Sequence, residues 1–382
     1  MTVWDDLVGQ AEPVGQLREA AARAARPGAP GVAHAWLFTG PPGSGRSTAA
    51  RAYAAALQCE QQGCGTCHAC RTVLGGSHPD VQVTATEASI LTVAQARDLV
   101  QLAQRHPSQG RWRVMLVEDA DRFNEPALNA LLKAVEEPPA RTVWLLCAPS
   151  PEDVLITIRS RCRPVRLRVP PVAAVADLLV RRGADRAMAF FAAQAAQSHV
   201  GRAQRLATDE DARMRRRQVL DIAFAVRGVG DAVLRAGQLI EVATEEATAA
   251  TADRDATERA ELLRALGYEG ESRLPPSIRT QVRALEAEQK KRATRFKRDV
   301  IDRALLDLLS VYRDVLVLQL GADVGLINGA ERQRISRLAA ASTPEVTLHR
   351  LDAIGDARTR IGTTQANALM VVEAMAVQLA AA

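Results

Sequence analysis

The sequence predicts an α/β domain built on a parallel sheet, followed by a longer part that is almost entirely helical. Three short apolar runs, each bounded by turn or charged residues, indicate buried strands at residues 35–38, 114–117 and 143–146. Helix-forming stretches separate these runs, an alternation typical of a parallel sheet covered by helices. After Pro170 and Pro171 helix-forming residues dominate the remainder, so a second, all-helical part is expected.

Composition agrees with this division and excludes several classes of protein. The chain has 382 residues, enough for two or three domains, and it is 47% hydrophobic but only 3% aromatic, as in helices packed by aliphatic side chains. The net charge of +5 is too small for a protein that coats nucleic acid, although contact with DNA is permitted. No run approaches the roughly 20 apolar residues of a membrane span, and no secretory signal is visible. We therefore expect a cytoplasmic protein without a membrane partner.

The helical part divides into sections. Residues 172–206 are almost wholly helix-forming, and the polar stretch 208–211 after them predicts a linker. Farther on, apolar side chains recur three or four residues apart and predict one buried face of a long helix. These side chains are Leu305, Leu308, Leu309, Tyr312, Leu316 and Leu320.

A charge-rich section lies at about residues 242–299, and the sequence indicates no function for it. Gly267, Gly270 and the pair Pro275-Pro276 interrupt it. Its basic end, residues 290–298, is typical of a solvated helix face, with DNA contact as the alternative.

A glycine-rich phosphate loop follows the first predicted strand and opens an alanine-rich helix. The loop residues are Gly40, Gly43, Gly45, Arg46, Ser47 and Thr48. Glycines there let backbone N–H groups face a phosphate at the positive end of the helix. Ser47 stands where a Mg²⁺-binding hydroxyl belongs, but Arg46 replaces the usual lysine, and its planar fork cannot imitate a compact ammonium. ATP or ADP is thus a candidate ligand that this departure disfavours, and a ligand-free strand–helix turn is the alternative.

The second predicted strand ends in Glu118 and Asp119, at the place of a Walker B motif. A working ATPase of this class has Asp and then Glu, one serving the Mg²⁺ ligand shell and the other polarising the attacking water. The reversed order gives both carboxylates the wrong reach for a geometry that tolerates little error. Together with Arg46, it predicts a chain that is not a competent ATPase by itself, with a harmless reversal as the alternative.

Four of the six cysteines fall within twelve residues, at Cys59, Cys64, Cys67 and Cys70. Four thiolates at this spacing predict a closed tetrahedral zinc site that serves structure rather than chemistry. An iron–sulfur cluster and four unliganded thiols are the alternatives. His68 lies inside the loop but is not needed as a ligand, because four thiolates complete the shell.

Three further segments complete a pattern. Residues 129–139 read Asn-Ala-Leu-Leu-Lys-Ala-Val-Glu-Glu-Pro-Pro, residues 160–162 read Ser-Arg-Cys, and residues 8–10 read Val-Gly-Gln. With the phosphate loop and the cysteine module, this order of motifs resembles the AAA+ subunits of bacterial sliding-clamp loaders. The resemblance implies a RecA-like AAA+ domain at residues 1–168 with a zinc module at 59–70, a helical lid at 169–208 and an all-α collar at 212–382.

The resemblance also implies a function. Clamp-loader subunits of DNA polymerase III form a five-membered ring from tau/gamma, delta and related subunits, which acts on the sliding clamp and on primer–template DNA. The departures at Arg46, Glu118 and Asp119 resemble the ATPase-deficient member of the family rather than its tau/gamma motor. In this family Arg161 projects into the ATP site of a neighbour as an arginine finger. An ATP-hydrolysing motor subunit and a purely structural subunit, whose Arg161 only caps a helix and forms surface ion pairs, are the alternatives.

Overall fold

The computed structural model describes residues 2–26, 32–84, 91–226, 228–269, 271, 274–363 and 366–381. The chain divides into two compact units, Met1–Thr208 and Asp209–Ala382. Among the described residues no helix has the length and apolar character needed to cross a membrane.

The first unit is a layered α/β structure. Its strands are β1 (Ala35–Thr39), β2 (Val81–Thr84), β3 (Arg113–Val117), β4 (Thr142–Ala148) and β5 (Arg163–Arg166). Its helices are α1 (Ala11–Ala24), α2 (Arg46–Gln58), α3 (His68–Leu74), α4 (Val93–Ala103), α5 (Glu125–Glu136), α6 (Ile156–Arg159), α7 (Val172–Arg181), α8 (Arg186–Ala195) and α9 (Val200–Thr208).

The strands form a parallel sheet in the order β2-β3-β4-β1-β5. The three predicted strands are confirmed as β1, β3 and β4, and every residue in them is buried. Alternate side chains enter two separate cores, so that Trp36 packs beside α1, α2 and α3, while Trp144 packs beside α4 and α5. Burial on both faces explains why these strands read as continuous apolar runs.

Two strands, β2 and β5, were not predicted. Both are short edge strands whose side chains are partly exposed, and β5 reads Arg-Pro-Val-Arg with only Val165 buried. Polar and charged side chains are common on edge strands, because one side of such a strand is exposed to water and its backbone groups are unpaired there. They also remove the apolar signal by which a strand is recognised in a sequence.

The second unit is helical in its described residues. Its helices are α10 (Glu210–Ala225), α11 (Val229–Ala265), α12 (Pro276–Gln319), α13 (Arg332–Ala341), α14 (Pro344–Thr363) and α15 (Ala368–Ala381). One apolar core joins α10, α11, α12, α14 and α15. Asp209, in the polar stretch 208–211, accepts a hydrogen bond from the N–H of Ala212 at 3.0 Å and so caps α10.

The predicted buried face of α12 is correct in its first half and wrong at its end. Leu305, Leu308 and Tyr312 are buried, whereas Leu309 and Leu316 are only half-buried. Leu320 is 63% exposed, because α12 ends at Gln319 and Leu320 is its C-cap. Periodicity shows which face of a helix is apolar but not where its packing partners stop.

The charge-rich section at about 242–299 consists of the far part of α11, the turn after it and the first half of α12. Gly267 has a φ of 78° and follows the C-cap of α11, while Pro275 and Pro276 begin α12. These residues therefore delimit two long helices. Gly270 lies outside the described residues.

Asp80 fixes the loop that leads into β3. Its carboxylate accepts hydrogen bonds from the N–H groups of Ser108 (2.7 Å), Gln109 (2.8 Å) and Gly110 (2.6 Å), and its side chain is only 1% exposed. Burial alone would raise the pKa of this carboxyl, but the three N–H donors outweigh it and lower the pKa to about 2. The ionised group thus stabilises the fold.

We expect Asp80→Asn to lower the free energy of unfolding by about 2 kcal/mol at pH 7, because an amide nitrogen would face backbone N–H donors. The folded pKa lies below the unfolded one, so the stabilisation is complete above pH 4 and is lost as pH falls toward 2. Urea unfolding at several pH values measures this, with the exposed Asp98→Asn as control. A difference from wild type that stays constant down to pH 2 would contradict the assignment.

Candidate functional site

The topology brings the phosphate loop and the Walker B carboxylates to one edge of the sheet. The loop follows β1 and the carboxylates follow β3, and both strands pair with β4. Carboxyl ends of parallel strands form the crevice in which α/β proteins bind ligands. The N–H of Gly40 donates to the carbonyl of Pro149 at 3.1 Å, which ties the loop to the end of β4.

The loop has the backbone of a phosphate cradle. Gly45 is the N-cap of α2 with a φ of 92°, and no side chain in the described ranges caps the helix. The first N–H groups of α2 can therefore serve an anion. A Cβ at Gly43 would lie 2.9 Å from the His199 ring, so the segment between α8 and α9 closes over the loop and leaves room only for glycine.

The side chains of the loop differ in their burial and in their hydrogen-bond partners. Arg46 Nη1 and Ser44 Oγ are buried, and neither has a hydrogen-bond partner within the described part of the chain. A buried guanidinium nitrogen without a partner could donate a hydrogen bond to an anion bound in the loop. Ser47 is half-buried, whereas Thr48 is exposed on α2.

Both Walker B carboxylates are paired with arginines. Glu118 Oε1 accepts hydrogen bonds from Arg51 Nε at 3.0 Å and Nη2 at 2.9 Å, and Asp119 lies 3.8 Å from Arg122 Nε. The negative charge that would hold a metal–nucleotide complex is thus already balanced by protein cations. Sequence reasoning missed Arg51, although a charged residue in an otherwise alanine-rich helix five residues after Arg46 was an available signal.

The four clustered cysteines form a site that could bind one metal ion. Their sulfur atoms all lie within 4.8 Å of one another, and Cys59 Sγ is 3.7 Å from both Cys64 Sγ and Cys67 Sγ. A tetrahedral metal with sulfur ligands at 2.3 Å requires sulfur–sulfur distances of about 3.8 Å. His68 begins α3 and is not part of the cluster.

Backbone N–H groups prepare the cluster for thiolates. The N–H of Cys67 points to Cys64 Sγ and that of Cys70 points to Cys67 Sγ, each at 3.4 Å. Hydrogen bonds from the N–H groups of Thr66 and Cys67 lower the pKa of Cys64 to about 6, whereas burial raises the pKa values of Cys67 and Cys70. Since the thiolate is the metal-binding form, Cys64 is prepared for ligation, and a bound cation would have to stabilise the buried thiolates of Cys67 and Cys70.

Arg161 lies in the turn between α6 and β5. Its Nη2 donates to Glu136 Oε1 at 2.9 Å, which raises the pKa of Arg161, and its Nη1 donates to the carbonyl of Thr157 at 2.8 Å. The side chains of Arg161 and Glu136 are 35% and 50% exposed. These are the contacts of a helix-capping, surface-paired arginine, and an exposed pair of this kind exchanges partners at little free-energy cost.

Comparison with known proteins finds similarity to subunits of DNA polymerase III. Residues 22–171 match the family profile described as DNA polymerase III, delta subunit. The DNA polymerase III subunit delta' of Pseudomonas aeruginosa is 39% identical over 155 residues, which cover 39% of this chain and 47% of the relative. The delta' subunit of Escherichia coli is 38% identical over 144 residues, covering 36% of this chain and 43% of the relative.

Two other relatives complete the comparison. The gamma/tau subunit of Mycobacterium tuberculosis is 36% identical over 176 residues, covering 45% of this chain and 30% of the relative. A solved gamma subunit-related protein of DNA polymerase III from Thermotoga maritima aligns over 92% of this chain and 100% of its own at a TM-score of 0.37 and 14% identity, too distant to bear on the arrangement of the units.

Residues 22–171, within the first unit, are thus similar to the delta subunit family of DNA polymerase III, in agreement with the resemblance that the order of motifs predicts. The chain is similar to the delta' subunits of P. aeruginosa and E. coli and to the gamma/tau subunit of M. tuberculosis. The matched segments span less than half the length of these relatives.

Proposed function

We propose that this protein acts as the delta' subunit of a DNA polymerase III clamp loader and helps to place the sliding clamp on primed DNA without hydrolysing ATP. The observation that carries the proposal is the ion pair between Glu118 and Arg51. In a motor subunit the carboxylate at this place would be available to the Mg²⁺ ion, whereas here it is bound to an arginine. A subunit with this site supports its neighbours rather than driving the cycle itself.

The partners follow from the same proposal. The chain would join tau/gamma and delta subunits in a five-membered ring in the cytoplasm and would meet the sliding clamp and primer–template DNA there. Residues 1–168 would form the AAA+ domain, 169–208 the lid and 212–382 the collar that assembles the ring. The names of the delta' and gamma/tau relatives support a role beside other subunits of DNA polymerase III.

In the nucleotide site the residues can hold a phosphate but cannot complete the reaction. The first N–H groups of α2 and Arg46 would bind the phosphates of ATP or ADP. Hydrolysis needs Mg²⁺ bound through a carboxylate and a second carboxylate beside the attacking water. Glu118 and Asp119 are in reversed order and are engaged by Arg51 and Arg122, so neither task is served.

Arg161 would contribute to catalysis in trans. Its guanidinium is exposed and linked to the protein by partners that also face solvent, so a stronger anion can replace Glu136. The γ-phosphate of ATP on an adjacent subunit is such an anion, and a fixed cation beside it stabilises the charge that develops as the bond to the β-phosphate breaks.

The cysteine cluster would hold zinc as a structural ion. Four thiolates at tetrahedral separation leave no open position for chemistry, which separates a structural site from a catalytic one. The N–H of Val3 donates to the carbonyl of Gly63 at 3.1 Å, so an ordered loop also anchors the segment before α1. Zinc would thereby fix the connection between α2 and α3.

We expect one zinc ion per chain and its loss in Cys64→Ser and Cys70→Ser. Structural zinc contributes on the order of 10 kcal/mol in isolated modules, so these variants should also melt at lower temperature. Elemental analysis for zinc and iron, with Cys162→Ala as a control outside the cluster, measures the outcome. Iron with inorganic sulfide, or zinc content unchanged in both serine variants, would refute the assignment.

We expect the isolated protein to show no measurable ATP hydrolysis, because the lysine is absent and both carboxylates are paired with arginines. Arg46→Lys should not restore turnover, since the carboxylates remain reversed and engaged. Phosphate release at millimolar Mg²⁺-ATP is measured for the wild-type protein and for Arg46→Lys. A rate on the order of 1 s⁻¹ that disappears in Ser47→Ala would identify an active motor subunit instead.

We expect Arg161→Ala and Arg161→Lys to lower clamp- and DNA-stimulated ATP hydrolysis by the reconstituted loader. A finger is worth about 10³–10⁵ in rate at one site, and a ring with several sites would show a partial loss. Lysine should fail because a point charge does not reproduce the planar fork.

Matched controls separate this role from a structural one. Arg159→Ala removes a neighbouring arginine that pairs with Glu152, and Glu136→Gln removes the partner of Arg161 while keeping the guanidinium. Both should retain turnover, and all four variants should assemble with normal zinc content. Unchanged turnover in an assembled Arg161→Ala loader would leave the purely structural role.

A further inference from the structure

The far parts of α11 and α12 form a two-helix arm, defined here as residues 247–293. The core of the second unit includes α11 residues up to Ala243 and α12 residues from Val300 onward. Beyond these, the arm has a small apolar cluster of its own near its tip, formed by Leu263, Ile278 and Val282. The helices extend about 27 Å from the base of the arm to the turn that joins them.

Between base and tip, polar contacts join the two helices. Arg292 Nη2 lies 2.5 Å from an Asp255 oxygen and 2.6 Å from a Glu258 oxygen, and the bond from Arg292 lowers the pKa of Glu258 to about 2. Glu286 pairs with Arg259 at 3.7 Å across the arm. Carboxylates of the arm are therefore used largely inside the arm or along its own helices.

Four cations on one flank of α12 are an exception to this pairing. Arg283, Lys290 and Lys297 repeat every seven residues, about two helical turns, and Arg279 lies one turn before Arg283. We call these four residues the α12 stripe. None of them has an ion pair or a side-chain hydrogen bond to any residue that the structure describes, and the nearby Glu288 pairs with Lys291.

An unpaired row of like charges is unfavourable for the helix that carries it. Arg279 and Arg283, one turn apart, repel one another by a few tenths of a kcal/mol. Among the described residues the one carboxylate on this flank, Glu286, is paired with Arg259 of α11. Elsewhere on the arm the exposed Arg254 and Arg264 have carboxylate partners, Glu258 and Glu269. The stripe is therefore not explained by the stability of the arm, and a polyanion is the ligand that its charge would attract.

The surface around the stripe favours nucleic acid over an acidic protein. Protein interfaces depend on buried aromatic or aliphatic anchors, and lysine is depleted in them. In the described part of the chain no large apolar side chain is exposed between Leu234 and Leu320. Phosphate backbone binding needs only cations, and the stripe is a straight row about 27 Å long, the length of about eight base pairs of duplex.

We propose that the α12 stripe binds the sugar–phosphate backbone of double-stranded DNA without reading its sequence. None of the four stripe residues belongs to the nucleotide loop or to the turn that carries Arg161, and DNA binding can be measured without ATP or partner subunits. Binding by four cations would depend on salt, with a slope of log K against log salt of about −3.6. Each stripe residue removed should reduce that slope by about 0.9.

The test uses the full chain and a labelled 20-base-pair duplex of arbitrary sequence, with anisotropy measured at several salt concentrations. We expect Arg283→Gln/Lys290→Gln to weaken binding on the order of tenfold or more at low salt and to reduce the slope by about 1.8. The matched control is Arg254→Gln/Arg264→Gln, which removes the same charge from paired arginines of α11 and should bind DNA much as wild type does.

Further measurements distinguish other causes. The stripe variant should melt close to wild type, because neither side chain has an ion pair or a side-chain hydrogen bond within the described residues, and a markedly lower melting temperature would contradict that assignment. Equal weakening in both double variants, or no binding by wild type, would overturn the proposal. Competition by polyglutamate as effective as that by duplex DNA would indicate an acidic protein partner instead, and equal binding of a single strand would refute duplex recognition.

Discussion

The burial of one parallel sheet on both faces is the constraint on which the first unit depends. It requires apolar side chains along β1, β3 and β4 except at their first or last residues, Thr39, Arg113 and Thr142, and so leaves polar chemistry to the ends of the strands. Because β1 and β3 both flank β4, the glycine loop and the Walker B carboxylates meet at one edge. The same covering helices present Arg51 to Glu118, so the packing that builds the site also determines its charge balance.

That charge balance distinguishes this site from the site of a working ATPase. A motor leaves its carboxylates to serve a metal ion, whereas here Arg51 and Arg122 approach them directly. The ion pairs with Arg51 and Arg122 reduce the negative charge that these carboxylates offer to a metal ion. Arg161 has the opposite character, since its partner Glu136 is half exposed and can be exchanged.

Prediction from sequence succeeded where the signal is local and failed where it depends on partners. Continuous apolar runs identified β1, β3 and β4, and spacing brought four cysteines together correctly. The edge strands β2 and β5 carry no such run, and Leu320 lies beyond the end of α12 despite fitting its periodicity. Arg51 escaped notice because its partner is 67 residues away and only the fold joins them.

The arm also has a mechanical consequence. Its two helices diverge from the apolar core as one stiffened lever, held along its length by Arg292 and its two carboxylates and at its tip by a small cluster around Ile278. A tilt of about ten degrees at the base would carry the tip through about 5 Å. Modest rearrangement where α11 and α12 leave the core is thereby amplified into a displacement larger than most side chains could produce.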